Sequence, residues 1–288
     1  MENNYTYQEL YQAAKHMLRR VDGEQAEFTA RQIVAAAANR SLAQLVADFG
    51  LSCFQRDIER VNEMVDRHLK GEPLAYVLGE WDFCGVSLKV TPDVLIPRDD
   101  TEACTALAIY ALRRLPENPR VLDLCTGSGC IGLAIAARVL DARVTLADLS
   151  QEALGVARSN VRRNHLTGRV SCVEADALKE PSSFLGSYDL IVSNPPYVTS
   201  RQMEELDPSV RDYEPEMALH GGVDGLDFYR AIAKNYKTVI RPKGYLCFEF
   251  GYGQEDDVCH ILMDEGFRLE RLERDSGERA RAVLAQKP

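Results

Sequence analysis

Arg120-Val121-Leu122-Asp123-Leu124-Cys125-Thr126-Gly127-Ser128-Gly129-Cys130-Ile131-Gly132 passes from an apolar strand, through a glycine turn, into a helix. The strand covers Arg120 to Cys125, and the helix is predicted from Ile131 to Leu140. Downstream the pattern repeats. Arg143 to Asp148 is a strand, and Gln151 to Asn164 a helix opening behind a Ser150 cap. Arg169 to Glu174, Tyr188 to Ser193 and Tyr245 to Phe250 are further strands, with a helix from Asp227 to Ile240 before the last. Such alternation predicts an α/β fold, a mostly parallel Rossmann-like sheet with helices on both faces. Phe267 to Asp275 and Arg279 to Ala285 suit a closing antiparallel pair.

The glycines of the opening stretch let backbone approach a ligand, and the helix N-terminus offers free N–H groups. Asp148 ends the second strand about twenty residues on, where a carboxylate accepts both hydroxyls of a ribose. Asp176, with Ala177 beside it, ends the third and is placed to receive an adenine amino group. Together these residues describe a nucleoside pocket across the strand ends. The plainer readings are a helix cap for Asp148 and a surface turn acid for Asp176. Gly127-Ser128-Gly129-Cys130-Ile131-Gly132 also satisfies G-x-G-x-x-G, so a dinucleotide is the competing ligand. Asp123 in the last turn of the strand counts against it, as a pattern typical of S-adenosylmethionine sites.

The fourth strand counts against it too. Tyr188 to Ser193 runs directly into Asn194-Pro195-Pro196-Tyr197. Consecutive prolines donate no hydrogen bonds and hold φ near −65°, so the chain leaves the strand rigidly extended. Two fixed acceptors, the Asn194 side-chain oxygen and the Pro195 carbonyl, then lie beside the Tyr197 ring. Such a clamp suits a planar NH2 group, a carboxamide or an exocyclic amine, and has no obvious use in hydride transfer. A rigid strand exit with no ligand is the plain alternative.

Upstream, Thr101 to Leu115 reads as a helix. From Trp81 to Ile96 the apolar spacing becomes two, which predicts a β-hairpin around Thr91-Pro92-Asp93. The first seventy or so residues read as a small helical bundle. Thr6 with Glu9, Ser41 with Gln44 and Ser52 with Gln55 form capping-box patterns. Leu10, Ala14, Met17, Leu18 and Val21 share one helical face, and Gly50 and Gly71 mark helix ends. The expected domains are thus a bundle over 1–73, a hairpin linker over 74–98 and an α/β domain over 99–288.

The chain has 288 residues, 45% hydrophobic and 27% charged, which bounds it to one or two ordinary globular domains. Its formal charge of −10 argues against a nucleic-acid-coating surface and favours a basic protein partner. No apolar stretch of about 18 residues or signal pattern occurs, so a cytoplasmic address without membrane is expected. The eight cysteines form no Cys-x-x-Cys pair and the five histidines are scattered, so neither a disulfide frame nor a protein-bound metal is expected.

Asp123 to Gly129, Ala147-Asp148-Leu149-Ser150 with Asn160, and Val192 to Tyr197 resemble the motifs of class I S-adenosylmethionine-dependent methyltransferases acting on planar nitrogen. Gly71-Glu72-Pro73, Leu95-Ile96-Pro97-Arg98-Asp99-Asp100-Thr101-Glu102, Tyr213-Glu214-Pro215 and Gly221-Gly222-Val223-Asp224-Gly225-Leu226 narrow the resemblance to the HemK/PrmC family. It covers roughly Gly71 to Gln254. It implies a class I methyltransferase sheet, S-adenosylmethionine as co-substrate, and methylation of the side-chain amide nitrogen of the glutamine in the Gly-Gly-Gln motif of peptide-chain release factors. On that reading Cys125, Thr126, Gly127, Ser128, Gly129, Asp148, Asp176, Ala177 and Asn194 hold the cofactor. Asn194, Pro195, Pro196 and Tyr197 bind the substrate amide and act in catalysis, and the helical bundle helps dock the protein substrate. Direct nucleic-acid binding is not expected. Two departures stand out: Cys125 replaces the family's usual glycine, and Asp99-Asp100 replaces Pro-Glu. The alternatives are a DNA adenine N6-methyltransferase, for which no target-recognition region is evident, and a non-catalytic interaction protein keeping the fold.

Overall fold

The computed structural model describes residues 5–288; residues 1–4 of the expected bundle lie outside the described residues. The chain forms two compact units, one running to Gly79 and taking in Pro208–Tyr213, the other made of Glu80–Asp207 and Glu214–Pro288.

The first unit contains α1 (Tyr7–Asp22), α2 (Ala26–Ala37), α3 (Leu42–Ala47), α4 (Gln55–Leu69) and α5 (Leu74–Leu78). Its core gathers Tyr7, Leu10, Ala14 and Leu18 of α1 with Ala30, Ile33 and Val34 of α2, Leu45 of α3 and Val61 and Val65 of α4. Alanines in α2 let its neighbours approach closely. Met17 and Val21, expected on the buried face of α1, are exposed. Both capping boxes predicted at Thr6 and Ser41 form. The one predicted at Ser52 does not: Ser52 bridges to Thr6 in extended conformation, and α4 starts behind Phe54 without a side-chain cap. Tyr5, through its backbone oxygen, accepts from the Cys53 amide at 2.8 Å, holding that stretch extended.

The second unit opens with the hairpin β1 (Glu80–Phe83) and β2 (Val86–Lys89). Then follow α6 (Thr101–Leu112), β3 (Arg120–Leu124), α7 (Cys130–Arg138), β4 (Arg143–Asp148), α8 (Gln151–Arg163), β5 (Val170–Glu174) and β6 (Tyr188–Ser193). After β6 come two short helices, α9 (Ser200–Glu204) and α10 (Pro208–Arg211), the latter belonging to the first unit. The chain finishes with α11 (Asp227–Asn235), β7 (Ile240–Glu249), α12 (Glu255–Asp264), β8 (Arg268–Arg274) and β9 (Ala280–Gln286). Seven strands form one sheet in the order β5-β4-β3-β6-β7-β9-β8. β3 to β7 are mutually parallel, and β9 runs antiparallel to both β7 and β8.

Alternation within each strand divides the side chains between two cores. Val121, Val144, Leu190, Val192 and Leu284 pack beneath α6, α7 and α8; Leu122, Leu124, Ile191, Phe248 and Val283 pack beneath α11 and α12. This is the mostly parallel Rossmann-like sheet, with helices on both faces and a closing antiparallel pair, that the alternating pattern predicts. Chain order reverses between β3 and β6, and in open α/β sheets a ligand crevice opens at the strand C-termini beside such a reversal.

The hairpin turns at Cys84-Gly85, not at Thr91-Pro92-Asp93, and it is shorter than its sequence pattern predicts. Thr91-Pro92-Asp93 forms a separate turn, closed by the Val94 amide on Thr91 O. Pairing stops at Lys89, and Val90–Ile96 runs on without a ladder partner. Pro92 and Pro97 lack the amide a strand needs. The Ile96 amide donates instead to Glu214 Oε2 at 3.1 Å, and Arg98 pairs with the other oxygen of the same buried carboxylate.

Candidate active site

At the C-terminal ends of β3, β4, β5 and β6 lies a cavity of about 300 Å³. Its first wall is the turn between β3 and α7. Cys125 (φ 60°), Gly127 (φ 53°) and Gly129 (φ 86°) are all left-handed there. The turn is pinned from below by Asp123, which is 1% exposed. Asp123 Oδ2 accepts from Thr126 Oγ1 at 2.6 Å and from the Gly132 amide at 2.9 Å. Burial outweighs these donors and raises its carboxyl to about 7. Asp123 therefore builds the turn and does not line the cavity. Gly132, the last glycine of the G-x-G-x-x-G match, serves packing: a Cβ there would sit 2.3 Å from Leu146 Cδ2 and 2.9 Å from Asp123 Oδ2.

Asp148 at the end of β4 forms the second wall. Its Oδ2 accepts from the Gly127 amide at 2.8 Å and its Oδ1 from the Ser150 amide at 3.0 Å. Burial pushes this carboxyl up, against the pull of those amides. Asp176 follows β5. Burial acts upward on it too, but Lys179, 2.9 Å away, and the Leu178 amide hold it below the usual carboxylate range. Ala177 and Leu178 line the cavity beside it.

β6 ends in the Asn194 turn. Ser193 Oγ donates to the Leu124 carbonyl at 2.6 Å, tying the end of β6 to the end of β3. Asn194 and Pro196 line the cavity; Pro195 and Tyr197 do not. The Tyr197 ring lies against Gly251, where a Cβ would be 2.9 Å from Tyr197 Cδ2. Burial raises its phenol to about 12. The Gly221–Leu226 segment clasps the back of this turn. The Val198 amide donates to Leu219 O and the Gly221 amide to Val198 O, both at 2.9 Å. A Cβ on Gly221 would fall 2.6 Å from Pro196 O, and one on Gly225 (φ 75°) 2.3 Å from Tyr197 O. Gln254 Nε2 bonds the Tyr197 and Gly225 carbonyls from the far side. The glycine-rich segment is thus what permits backbone to pack directly on the clamp.

The structure accordingly gathers Cys125, Thr126, Gly127, Ser128, Asp148, Asp176, Ala177, Asn194 and Pro196 around one cavity, with Gly129 one step back as the cap of α7. It adds residues that sequence reasoning left out. Asp93, Val94, Leu95 and Arg98 wall the cavity from the unpaired stretch after the hairpin, joined by Thr101, Met217 and Phe228. Pro92 and Pro97 were the available signal that this stretch is no strand. Beneath Asn194 lies Glu249, 1% exposed and pushed up to about 7 chiefly by burial. A single acid at the end of an apolar strand is the trace it leaves in the sequence. The Asp100 that replaces the family's glutamate bonds Arg281 Nη2 at 2.7 Å.

The donor set suits a nucleoside. A carboxylate faces the cavity from β4, apolar Ala177 and Leu178 flank the acidic turn after β5, and the buried Ser128 hydroxyl has no hydrogen-bond partner among the described residues. No trio of His, Cys, Asp or Glu side chains placed for a metal ion occurs among the described residues. Among them, too, no helix is long and apolar enough to cross a membrane.

Residues 97–207 match the Methyltransferase small domain family, and residues 9–79 match the PrmC N-terminal domain family. The release factor glutamine methyltransferase of Geobacter sulfurreducens is 40% identical over 246 residues, 85% of this chain and 84% of the relative. The enzyme of that name from Bradyrhizobium diazoefficiens is 34% identical over 273 residues, 94% and 91% of the two chains. A crystal structure of a methyltransferase from Pyrococcus furiosus shares the fold with a TM-score of 0.51 at 17% identity, covering 78% of this chain and 98% of that one. By identity over most of both chains, together with the methyltransferase sheet and its cavity, the chain belongs to the HemK/PrmC family of release factor glutamine methyltransferases.

Proposed function

We propose that the chain transfers a methyl group to the side-chain amide nitrogen, N5, of the glutamine in the Gly-Gly-Gln motif of peptide-chain release factors. The observation that carries this reading is the Asn194 turn, which opens on the same cavity as the ribose-type carboxylate Asp148. When bound, S-adenosylmethionine supplies an activated methyl on a sulfonium centre. Asp148 is assigned to the ribose hydroxyls and Asp176 with Ala177 to the adenine edge. The Cys125–Gly129 turn brings backbone against the rest of the cofactor.

An amide nitrogen is a poor nucleophile because its lone pair is delocalised into the carbonyl. To attack, it must lose planarity and gain positive charge. The Asn194 side-chain oxygen, on the cavity wall, accepts from one N–H of that nitrogen, and the Pro195 carbonyl, set behind the lining residues, is assigned the other. Together they stabilise that charge and aim the lone pair. Pro196 and Tyr197 keep the turn stiff, with the Tyr197 ring bracing it. No strong base is required before transfer, since the proton becomes acidic only once the methyl is in place.

The helical first unit is assigned to docking of the protein substrate. Incubation with labelled cofactor and either release factor or duplex DNA is the direct test. A gain of one methyl on the Gly-Gly-Gln glutamine, with DNA unlabelled, is the expected result. Label on adenine with an unmodified factor would replace this reading with the base-methylating one. The formal charge of −10 works against DNA as the substrate.

A further inference from the structure

Glu249 closes β7 with its carboxylate shut away from water, and its Oε2 has no hydrogen-bond partner among the described residues. The β6–β7 register that sets Ser193 opposite Phe248 brings Glu249 alongside Asn194. Thr101, 2% exposed in the first turn of α6, completes the group. Asn194 Nδ2 donates toward Thr101 Oγ1 at 3.4 Å, and the polar Thr101 and Asn194 side chains favour the ionised form of Glu249 against its burial.

The polarity of this chain of contacts follows from its end member. An ionised carboxylate only accepts. The Thr101 hydroxyl therefore points its hydrogen bond toward Glu249, and its oxygen is left to accept from Asn194. The amide nitrogen of Asn194 is turned inward and its oxygen is left for the cavity, which Asn194 and Thr101 both line. Asparagine oxygen and nitrogen are nearly the same size, so shape alone does not choose between the two orientations. A donor facing the substrate NH2 would repel it.

We propose that Glu249, acting through Thr101, is the positioning residue that fixes the orientation of the Asn194 amide and so keeps an acceptor aimed at the NH2 group to be methylated. This rests on the glutamine reading above.

Other charged and titratable groups face Glu249 from every packed element. Arg281 of β9 favours its ionised form but is itself held by Asp100 and Asp275. Asp100, ahead of α6, disfavours ionisation. The Tyr197 and Tyr229 phenols, Cys104 of α6 and Cys130 of α7 all sense the Glu249 charge, and Tyr229 donates to the Glu249 carbonyl at 3.0 Å. With burial dominant, the carboxyl is raised to about 7. Below that value a protonated Glu249 donates a hydrogen bond, and the Asn194 amide is free to invert. Activity is then present above the titration and lost as pH falls through it.

The test measures kcat and KM of the full chain on release factor from about pH 6 to pH 9. The wild type should show an acid limb. Glu249→Gln should lower kcat at the alkaline end at least about tenfold, the scale expected of a misaimed group, with KM for S-adenosylmethionine unchanged and the acid limb gone. Glu249→Asp should restore part of kcat and the limb, and Thr101→Val should reproduce the loss of kcat at an unchanged melting temperature. Glu249→Gln with wild-type kcat, or with the acid limb intact, overturns the proposal alone. An inactive wild type overturns it together with the glutamine reading.

Discussion

Asn194 carries most of the chemistry proposed for this chain, and its removal is the sharpest check. Asn194→Ala should reduce kcat on release factor by about a hundredfold or more, the loss typical of deleting one preorganised polar group at a reacting centre. S-adenosylmethionine should still bind measurably by calorimetry. Near-normal turnover would end the assigned role. At this scale the sequence was informative about identity and silent about geometry. Cys125 was legible as a departure from glycine, but only the structure gives its reason: φ is 60° there. A side chain in that region costs about 1–2 kcal/mol, so glycine is the unstrained choice and cysteine a tolerated one. Glu249 was passed over because nothing in a single acid at a strand end distinguishes a surface residue from one buried beneath the site.

Between elements, the joint that matters most is made by Asn160 of α8. Its Oδ1 accepts from the Lys89 amide at 2.6 Å, and its Nδ2 donates to Lys89 O at 3.0 Å and to Ser128 O at 2.9 Å. One buried side chain thus fastens the end of β2 and the turn before α7 to the same helix. Asn160→Ala leaves three backbone groups unsatisfied and should cost about 3 kcal/mol of stability in urea unfolding. Affinity for S-adenosylmethionine should fall with it, because Ser128 lines the cavity. An unaltered urea midpoint would show that water replaces the bonds. Asn160 was visible within a motif, but its partners are 71 and 32 residues away and no spacing rule joins them. The stretch after β2 was misread for a related reason. Val90, Val94 and Ile96 continue the apolar alternation, and their burial is real, yet the prolines and Glu214 divert the chain to the cavity wall.

Over the whole molecule, buried acids set how stability depends on pH. Asp123 and Glu249 are both raised to about 7, from ordinary values of 3.8 and 4.5. Between those values and 7 the folded chain holds protons that the unfolded chain has released. Their contribution is fully present below the unfolded values and is lost as pH rises through the folded ones. Urea stability should therefore decline between about pH 5 and pH 8. Asp123→Asn, whose oxygen still accepts from Thr126 and Gly132, should flatten part of that decline and stabilise the chain at the upper end. A slope unchanged by the substitution would refute the assignment to Asp123. The docking role proposed for the first unit is tested at the same scale. Removing residues 1–79 should weaken release-factor turnover far more than S-adenosylmethionine affinity, and equal turnover would remove the idea.

The strand-turn-helix at Arg120 to Gly132 and the alternation that follows it determined, from sequence alone, the parallel sheet and its closing antiparallel strands. Periodicity is a local property, and each strand needs only its own residues to announce which faces are buried. The same held for the Asn194 turn, whose stiffness is covalent. What the tertiary structure decided is everything made by residues distant in the chain. It placed Asp123 under the turn and not in the cavity, laid the Gly221–Leu226 segment on the clamp, turned Val90–Ile96 into a wall, and brought Thr101 and Glu249 to Asn194. Those arrangements follow from strand register and from the burial of polar groups that must find partners. Neither has a signature within a short window of sequence.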